Sequence, residues 1–147
     1  PLLLLGACAI IFANLLRQWC FHQLGPLFTF EITIQPGHKL VTTGPYAVVR
    51  HPSYIGVYLA LLGASVLALA PGAWLRECWA PSALGLPSAG QLVVGLLLAF
   101  WTAKCCVVFK STYKRLQIED SELKKVFGET WEQYARRVRW SILPGIY

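Results

Sequence analysis

Three long apolar runs divide this chain, and they restrict its possible folds more than any short motif does. They extend from about Leu2 to Leu16, with a continuation toward Phe21, from about Ile55 to Ala70, and from about Leu92 to Phe109. A spanning helix needs roughly 17–25 apolar residues. The third run meets that length, and the first two meet it once their flanks are counted. Charged residues make up 14% of the 147, against about 25% in a typical soluble domain, and the mean hydropathy is +0.52. These features predict one all-α integral membrane domain over residues 1–147, with about three or more transmembrane helices and further helices at its C-terminal end. The chain opens on Pro1 and holds no Met, which predicts an N-terminally truncated piece with more spans ahead of it. No signal-peptide pattern is present, because no basic flank precedes the first run.

The polar segments between the runs carry the punctuation. Pro52 suits the first turn of the second helix, where a missing N–H does no harm. Pro71 and Gly72 end that helix. Residues 71–90 read as a link rich in Pro, Gly, Ser and Ala, with Trp74 and Trp79 suited to the membrane interface. Residues 28–35 alternate apolar with polar side chains, a strand-like period, before a turn at Pro36 and Gly37. From Ser111 to about Phe127 the period is helical again, with Leu116, Leu123 and Phe127 on one face. Gly128 suits the end of that helix. A last helix is expected from about Thr130, a possible N-cap, to Trp140.

Charge orients the chain. The formal net charge is +6, and eleven of the thirteen Lys and Arg fall in segments 17–51 and 110–147. Two spans separate those segments, so both lie on one side of the bilayer, and the positive-inside rule makes that side cytosolic. Basic residues flanking spans fit anionic headgroups and make a nucleic-acid partner unexpected. Lys104, inside the third run, either snorkels or faces the bundle interior. Five cysteines without CxxC spacing argue against a disulfide framework or a zinc site. Cys8, Cys105 and Cys106 read as small buried hydrophobes.

Two constellations could carry chemistry. In Arg50-His51-Pro52-Ser53-Tyr54, the proline keeps His51 out of helical geometry and so places it near an N-cap, beside free backbone N–H groups that attract anions. The same residues could instead anchor the helix to headgroups. Arg115 and Glu119, four apart on one helical face, either form a surface pair or aim opposite charges into a polar pocket at the membrane edge. No HExxH-like spacing supports a metal, and none is expected. A Ser-His-Asp triad finds no support, because Asp120 is the only aspartate and no nucleophile elbow is present.

The ordered set Gly44-Pro45-Tyr46, Arg50-His51-Pro52-Ser53-Tyr54, Arg115, Glu119, Leu123, Phe127-Gly128, Trp131, Tyr134 and Pro144 resembles the isoprenylcysteine carboxyl methyltransferase family, from about Leu16 to the end of the chain. Arg-His-Pro alone is shared with phospholipid methyltransferases and some sterol reductases. The resemblance implies S-adenosylmethionine as methyl donor and a C-terminal prenylcysteine carboxylate, in CaaX-type proteins or as prenylcysteine, as acceptor. It also implies residence in the endoplasmic reticulum membrane with the site facing the cytosol. The cofactor site would be built from residues 35–54 and 110–140. By the same resemblance Gln35, His38, Lys39, Leu40, Val41, Tyr46, His51, Pro52, Ser53, Tyr54 and Glu119 fall on cofactor contacts, and Arg115 on the substrate-side arginine. Arg115, Glu119 and His51 are the catalytic candidates. The loop between Gln35 and His38 is shorter than in animal members, Ala47 and Val48 replace an aromatic or basic residue, and Trp131 stands where many members have Tyr. The alternatives are a phospholipid amine N-methyltransferase, where Arg115 beside an amine acceptor would be unfavourable, a longer NADPH-dependent sterol-type reductase, and an inactive membrane scaffold that keeps the fold.

Overall fold

The computed structural model describes residues 1–28, 39–79 and 88–145. The helices are α1 (Leu2–Leu24), α2 (Pro52–Leu69), α3 (Trp74–Trp79), α4 (Ala89–Phe127) and α5 (Glu129–Arg137), with short 3-10 turns at Gly25–Leu27 and Gly44–Ala47. No strand occurs among the described residues. α1, α2 and α4 are long and apolar enough to cross a membrane, so the protein is an all-α integral membrane protein. The strand-like stretch expected at 28–35 lies almost wholly outside the described residues.

α1 and α2 pack antiparallel through small residues. A methyl group on Gly63 would sit 2.8 Å from the Gly6 carbonyl oxygen, and one on Gly56 would sit 2.9 Å from the Ala13 carbonyl oxygen. Lipid tails are as apolar as leucine, so association within the bilayer relies on such close backbone approach rather than on hydrophobic exclusion. α4 runs antiparallel to α2. Tyr58 stacks on Phe109 with ring centroids 4.8 Å apart, and Trp101 Nε1 donates to Ser65 Oγ at 3.0 Å. The C-terminal end of α1, the start of α2 and the later half of α4 therefore meet at one end of the bundle.

Several boundaries differ from expectation. The third apolar run and the helical segment after it form a single 39-residue helix. Its start is fixed by a capping box, with Ser88 Oγ accepting from Gln91 N and Gln91 Oε1 accepting from Ser88 N. No Gly or Pro interrupts it between Gly95 and Gly128. At 1.5 Å per residue it is roughly 58 Å long, about twice the hydrocarbon thickness, so its charged later half must leave the bilayer. Gly128, at φ 51°, ends α4 and is also the N-cap of α5. Thr130 therefore lies inside α5 and does not cap it. α5 stops at Arg137 rather than Trp140, because residues 138–141 are used elsewhere, as described below. The Pro/Gly link contains the short α3, whose Trp74 is exposed.

The cysteines also depart from expectation. Cys20 is fully buried, while Cys8 and Cys106 are exposed and Cys105 is intermediate. Cys8 and Cys106 lie on outward helix faces, where small size has no packing role. Lys104 is exposed among the described residues, as the snorkelling alternative expects.

Candidate active site

The turn at Gly44–Ala47 is seated on α1. Gly44 takes φ +60°, and a side chain there would meet Gln23, whose Oε1 lies 3.4 Å from Thr43 Oγ1. Tyr46, half-buried on this turn, hydrogen-bonds the buried Cys20 thiol. Tyr134 of α5 donates its hydroxyl to the Tyr46 carbonyl at 2.8 Å. Burial raises the phenol pKa at both tyrosines, that of Tyr134 to about 12, so both stay neutral donors.

His51 is the N-cap residue of α2, with Pro52 at N1 as expected. Its imidazole is buried and makes no cap bond. Nε2 lies 2.9 Å from Asp120 Oδ1, and Nδ1 lies 3.5 Å from Glu119 Oε2. Burial on its own would disfavour the imidazolium, but the carboxylates of Asp120 and Glu119 outweigh it, and the pKa is raised above 6.5. A cation that donates from both ring nitrogens satisfies both acids. Glu119 gathers the rest of the cluster: Oε1 accepts from Tyr54 Oη at 2.6 Å and from Arg115 Nε at 3.0 Å. Arg115 and Glu119 are thus a paired unit, as their spacing allows.

Arg50 differs from both roles open to it in the sequence. It neither reaches for headgroups nor offers an isolated charge. Its guanidinium donates to the carbonyls of Val138 at 3.2 Å and Arg139 at 2.9 Å, and Nη2 lies 3.3 Å from Asp120 Oδ2. The backbone continues the join: Arg50 N donates to Trp140 O and His51 N to Ser141 O, each at 2.9 Å. The segment after α5 is therefore strapped across the entry to α2, which is why α5 ends early.

These elements enclose a cavity of about 470 Å³, within the range of ordinary small-ligand sites. Of the residues singled out in the sequence, Lys39, Leu40, Val41, Tyr46, Arg50, His51, Ser53, Tyr54, Arg115, Glu119, Leu123 and Tyr134 line it. Pro52 is fully buried and absent from the lining, and it forms the first turn of α2. Gln35 and His38 lie outside the described residues. The lining also includes an apolar set, Phe21, Leu24, Leu27, Val57 and Val108. Two participants are not apparent from the sequence. Asp120 suggests itself there only as a triad member, and its contact with a residue 69 positions earlier leaves no local signal. Arg17 lines the cavity from α1, although in the sequence it reads as one more basic flank.

Fold and site together define an integral membrane protein with a charged ligand cavity where its spans end. The sequence profile of the isoprenylcysteine carboxyl methyltransferase family matches residues 4–77. The chain is 30% identical to protein-S-isoprenylcysteine O-methyltransferase B of Arabidopsis thaliana, over 90% of this chain and 55% of that protein. It is 32% identical to protein-S-isoprenylcysteine O-methyltransferase of Schizosaccharomyces pombe, over 84% of this chain and 42% of that protein. It is also 27% identical to Delta(14)-sterol reductase of Neurospora crassa, over 76% of this chain but only 24% of that protein. The chain belongs to the isoprenylcysteine carboxyl methyltransferase family. It spans about half the length of the methyltransferases it matches.

Proposed function

We propose that this protein transfers a methyl group from S-adenosylmethionine to the C-terminal carboxylate of prenylcysteine, free or at the end of a CaaX-type protein, from the cytosolic face of the endoplasmic reticulum membrane. The observation that carries this reading is one cavity lined by two sets of residues, a polar one with His51, Tyr54, Arg115 and Glu119 and an apolar one with Phe21, Leu24, Leu27, Val57 and Val108. A water-soluble donor and a lipid-like acceptor need such a junction. The basic residues of segments 17–51 and 110–147 support the cytosolic orientation.

The donor supplies an activated methyl that leaves its sulfur as a neutral thioether when bound next to a nucleophile. The acceptor carboxylate is ionised at neutral pH, since a free α-carboxyl titrates at about 3.3–3.7, so this chain need supply no general base. Orientation and charge balance remain, and correct positioning can contribute about 7–11 kcal/mol. Glu119, fixed by three donors, presents the negative charge suited to the donor's ammonium group. The His51 side supplies positive charge and the start of α2 for the donor's carboxylate or ribose. Arg115 faces the acceptor. Lys39, Leu40, Val41, Tyr46 and Ser53 complete the donor wall among the described residues. Residues 1–147 then work as one membrane domain, with the donor site drawn from the segments before α2 and after the membrane half of α4.

The test uses labelled S-adenosylmethionine with two acceptors, N-acetyl-S-farnesylcysteine and a phosphatidylethanolamine vesicle. Ester formation on the acid and none on the amine is expected. Glu119→Gln should weaken S-adenosylhomocysteine binding in calorimetry by at least about tenfold, as expected for losing a charged partner. Methylation of the amine alone would replace this reading with the phospholipid one. Absence of S-adenosylhomocysteine binding by the unaltered protein would leave the scaffold.

A further inference from the structure

The segment that leaves α5 has two faces. Val138, Ser141 and Ile142 are buried, while Arg137, Arg139, Trp140 and Leu143 are exposed, Trp140 at 39% and Leu143 at 47%. The inner face is the strap described above: its carbonyls at Val138 and Arg139 receive the Arg50 guanidinium, and those at Trp140 and Ser141 receive the amides of Arg50 and His51. The outer face is basic and apolar at once. Arg136 is drawn toward Glu132 at 3.8 Å, but Arg137 and Arg139 make no ion pair among the described residues.

The hydrogen bonds of the strap fix its depth. They are made to the two residues that precede Pro52, where α2 begins. α2 has 18 residues, roughly 27 Å at 1.5 Å per residue, against a hydrocarbon thickness of about 30 Å. A span that short has its first turn at the edge of the hydrocarbon, so Arg50, His51 and the strap beside them lie among the headgroups. Trp suits that layer because its ring has an apolar body and a polar edge, and exposed Arg is attracted there by anionic lipid. Arg50 itself is turned inward to Asp120. The headgroup contact that the sequence left open to Arg50 therefore passes to the outer face of the strap that covers it.

We propose that Arg137, Arg139, Trp140 and Leu143 form a binding surface for anionic lipid headgroups, and that a lipid bound there holds the strap on the donor site. Lifting the backbone at 138–141 away from Arg50 and His51 would carry these side chains from the depth at which headgroups lie, so a bound headgroup favours the docked strap. The docked strap fixes Arg50 on Asp120, which in turn meets His51. The link to donor affinity rests on the function proposed above; the lipid contact itself does not. Lys110 and Lys114 are exposed as well, but they belong to α4 rather than to the strap, and they supply the control.

The experiment has two readouts. Electron spin resonance of spin-labelled phosphatidylserine and phosphatidylcholine in vesicles gives the lipid selectivity. Calorimetry gives the Kd of S-adenosylhomocysteine in phosphatidylcholine nanodiscs with and without phosphatidylserine of the same acyl chains. That ligand carries no net charge, so surface potential alone leaves its Kd unchanged. The unaltered protein should select phosphatidylserine and bind S-adenosylhomocysteine about fivefold more tightly when it is present, the effect of one basic residue near an anionic surface. Arg137→Gln with Arg139→Gln should lower the lipid selectivity by at least about twofold, the contribution of each residue being averaged over the lipid shell, and should bring the two Kd values together. Lys110→Gln with Lys114→Gln removes equal charge and should leave the Kd ratio within about twofold of its original value. Arg137→Lys with Arg139→Lys should retain both effects, because headgroups respond to charge, and it keeps the test usable if the glutamine variant does not fold. Full selectivity or an unchanged Kd ratio in the strap glutamine variant overturns the proposal, as does an equal loss of the ratio in the α4 variant. An unaltered protein without selectivity for phosphatidylserine overturns it too and leaves the face to an acidic protein partner. Failure of the unaltered protein to bind S-adenosylhomocysteine in either lipid overturns the parent reading and the link to donor affinity with it, while the spin-label result still decides the lipid contact.

Discussion

At the scale of single residues, the site depends on how its charges share partners. His51 sits between Asp120 and Glu119 with its pKa raised. A group whose folded pKa is raised contributes stability that is fully present below its unfolded value, about 6.5, and is lost as pH rises through the folded value. Melting temperature should therefore fall as pH increases from about 6.5 into the alkaline range. Asp120→Asn should flatten that dependence and lower stability at pH 6 by about 1–3 kcal/mol, the usual cost of a lost charged hydrogen bond. A melting profile as steep in Asp120→Asn as in the unaltered protein would show that some other group titrates. Asp120 also illustrates what the sequence concealed. Adjacent helical residues do not share a face, so nothing in the order Glu119-Asp120 indicates that both reach one imidazole. That they do depends on His51 standing at the end of α2, where both helix-borne acids can approach it from one side.

At the scale of elements, apolar length and punctuation were readable. Pro52, Pro71 and Gly128 mark ends that the structure keeps within a few residues. The unbroken α4 was readable in the absence of Gly and Pro after Gly95, although the change from apolar to charged residues near Lys110 reads as a boundary. Composition changes there because the solvent changes, not because the backbone does. The strap from Val138 to Ser141 had no local signal, since its partners lie 88 or more residues earlier. The α1–α2 contact yields a sharper expectation. Gly63→Val would drive its side chain against the Gly6 carbonyl and Ile10, and overpacking of this kind costs about 1–3 kcal/mol. The measurement is thermal unfolding in detergent. Ser65→Ala, which removes a side-chain hydrogen bond to Trp101 but introduces no clash, should cost less, about 0.6 kcal/mol. If the two variants melt alike, close backbone approach does not hold this helix pair.

At the scale of the whole molecule, the arrangement joins two solvents through one helix. Helix α4 is anchored at Ser88 by its capping box and carries Arg115, Glu119 and Asp120 beyond the apolar stretch. From near Ala99 to Glu119 the distance is roughly 30 Å. Within the membrane α4 presents most of its apolar side chains outward, including Leu96 at 72% and Phe100 at 66% exposure. Its lean is therefore open to influence from the surrounding lipid, which adjusts helices to its own thickness. A rod pivoting by about 10° at mid-bilayer would carry the Glu119 carboxylate some 5 Å sideways, more than the length of any hydrogen bond that holds it. Turnover should accordingly pass through a maximum across phosphatidylcholine vesicles of increasing acyl length, with the S-adenosylhomocysteine Kd passing through a minimum at the same length. The thickness of the host bilayer thereby acts as a setting for the chemistry, transmitted mechanically along a single rigid shaft.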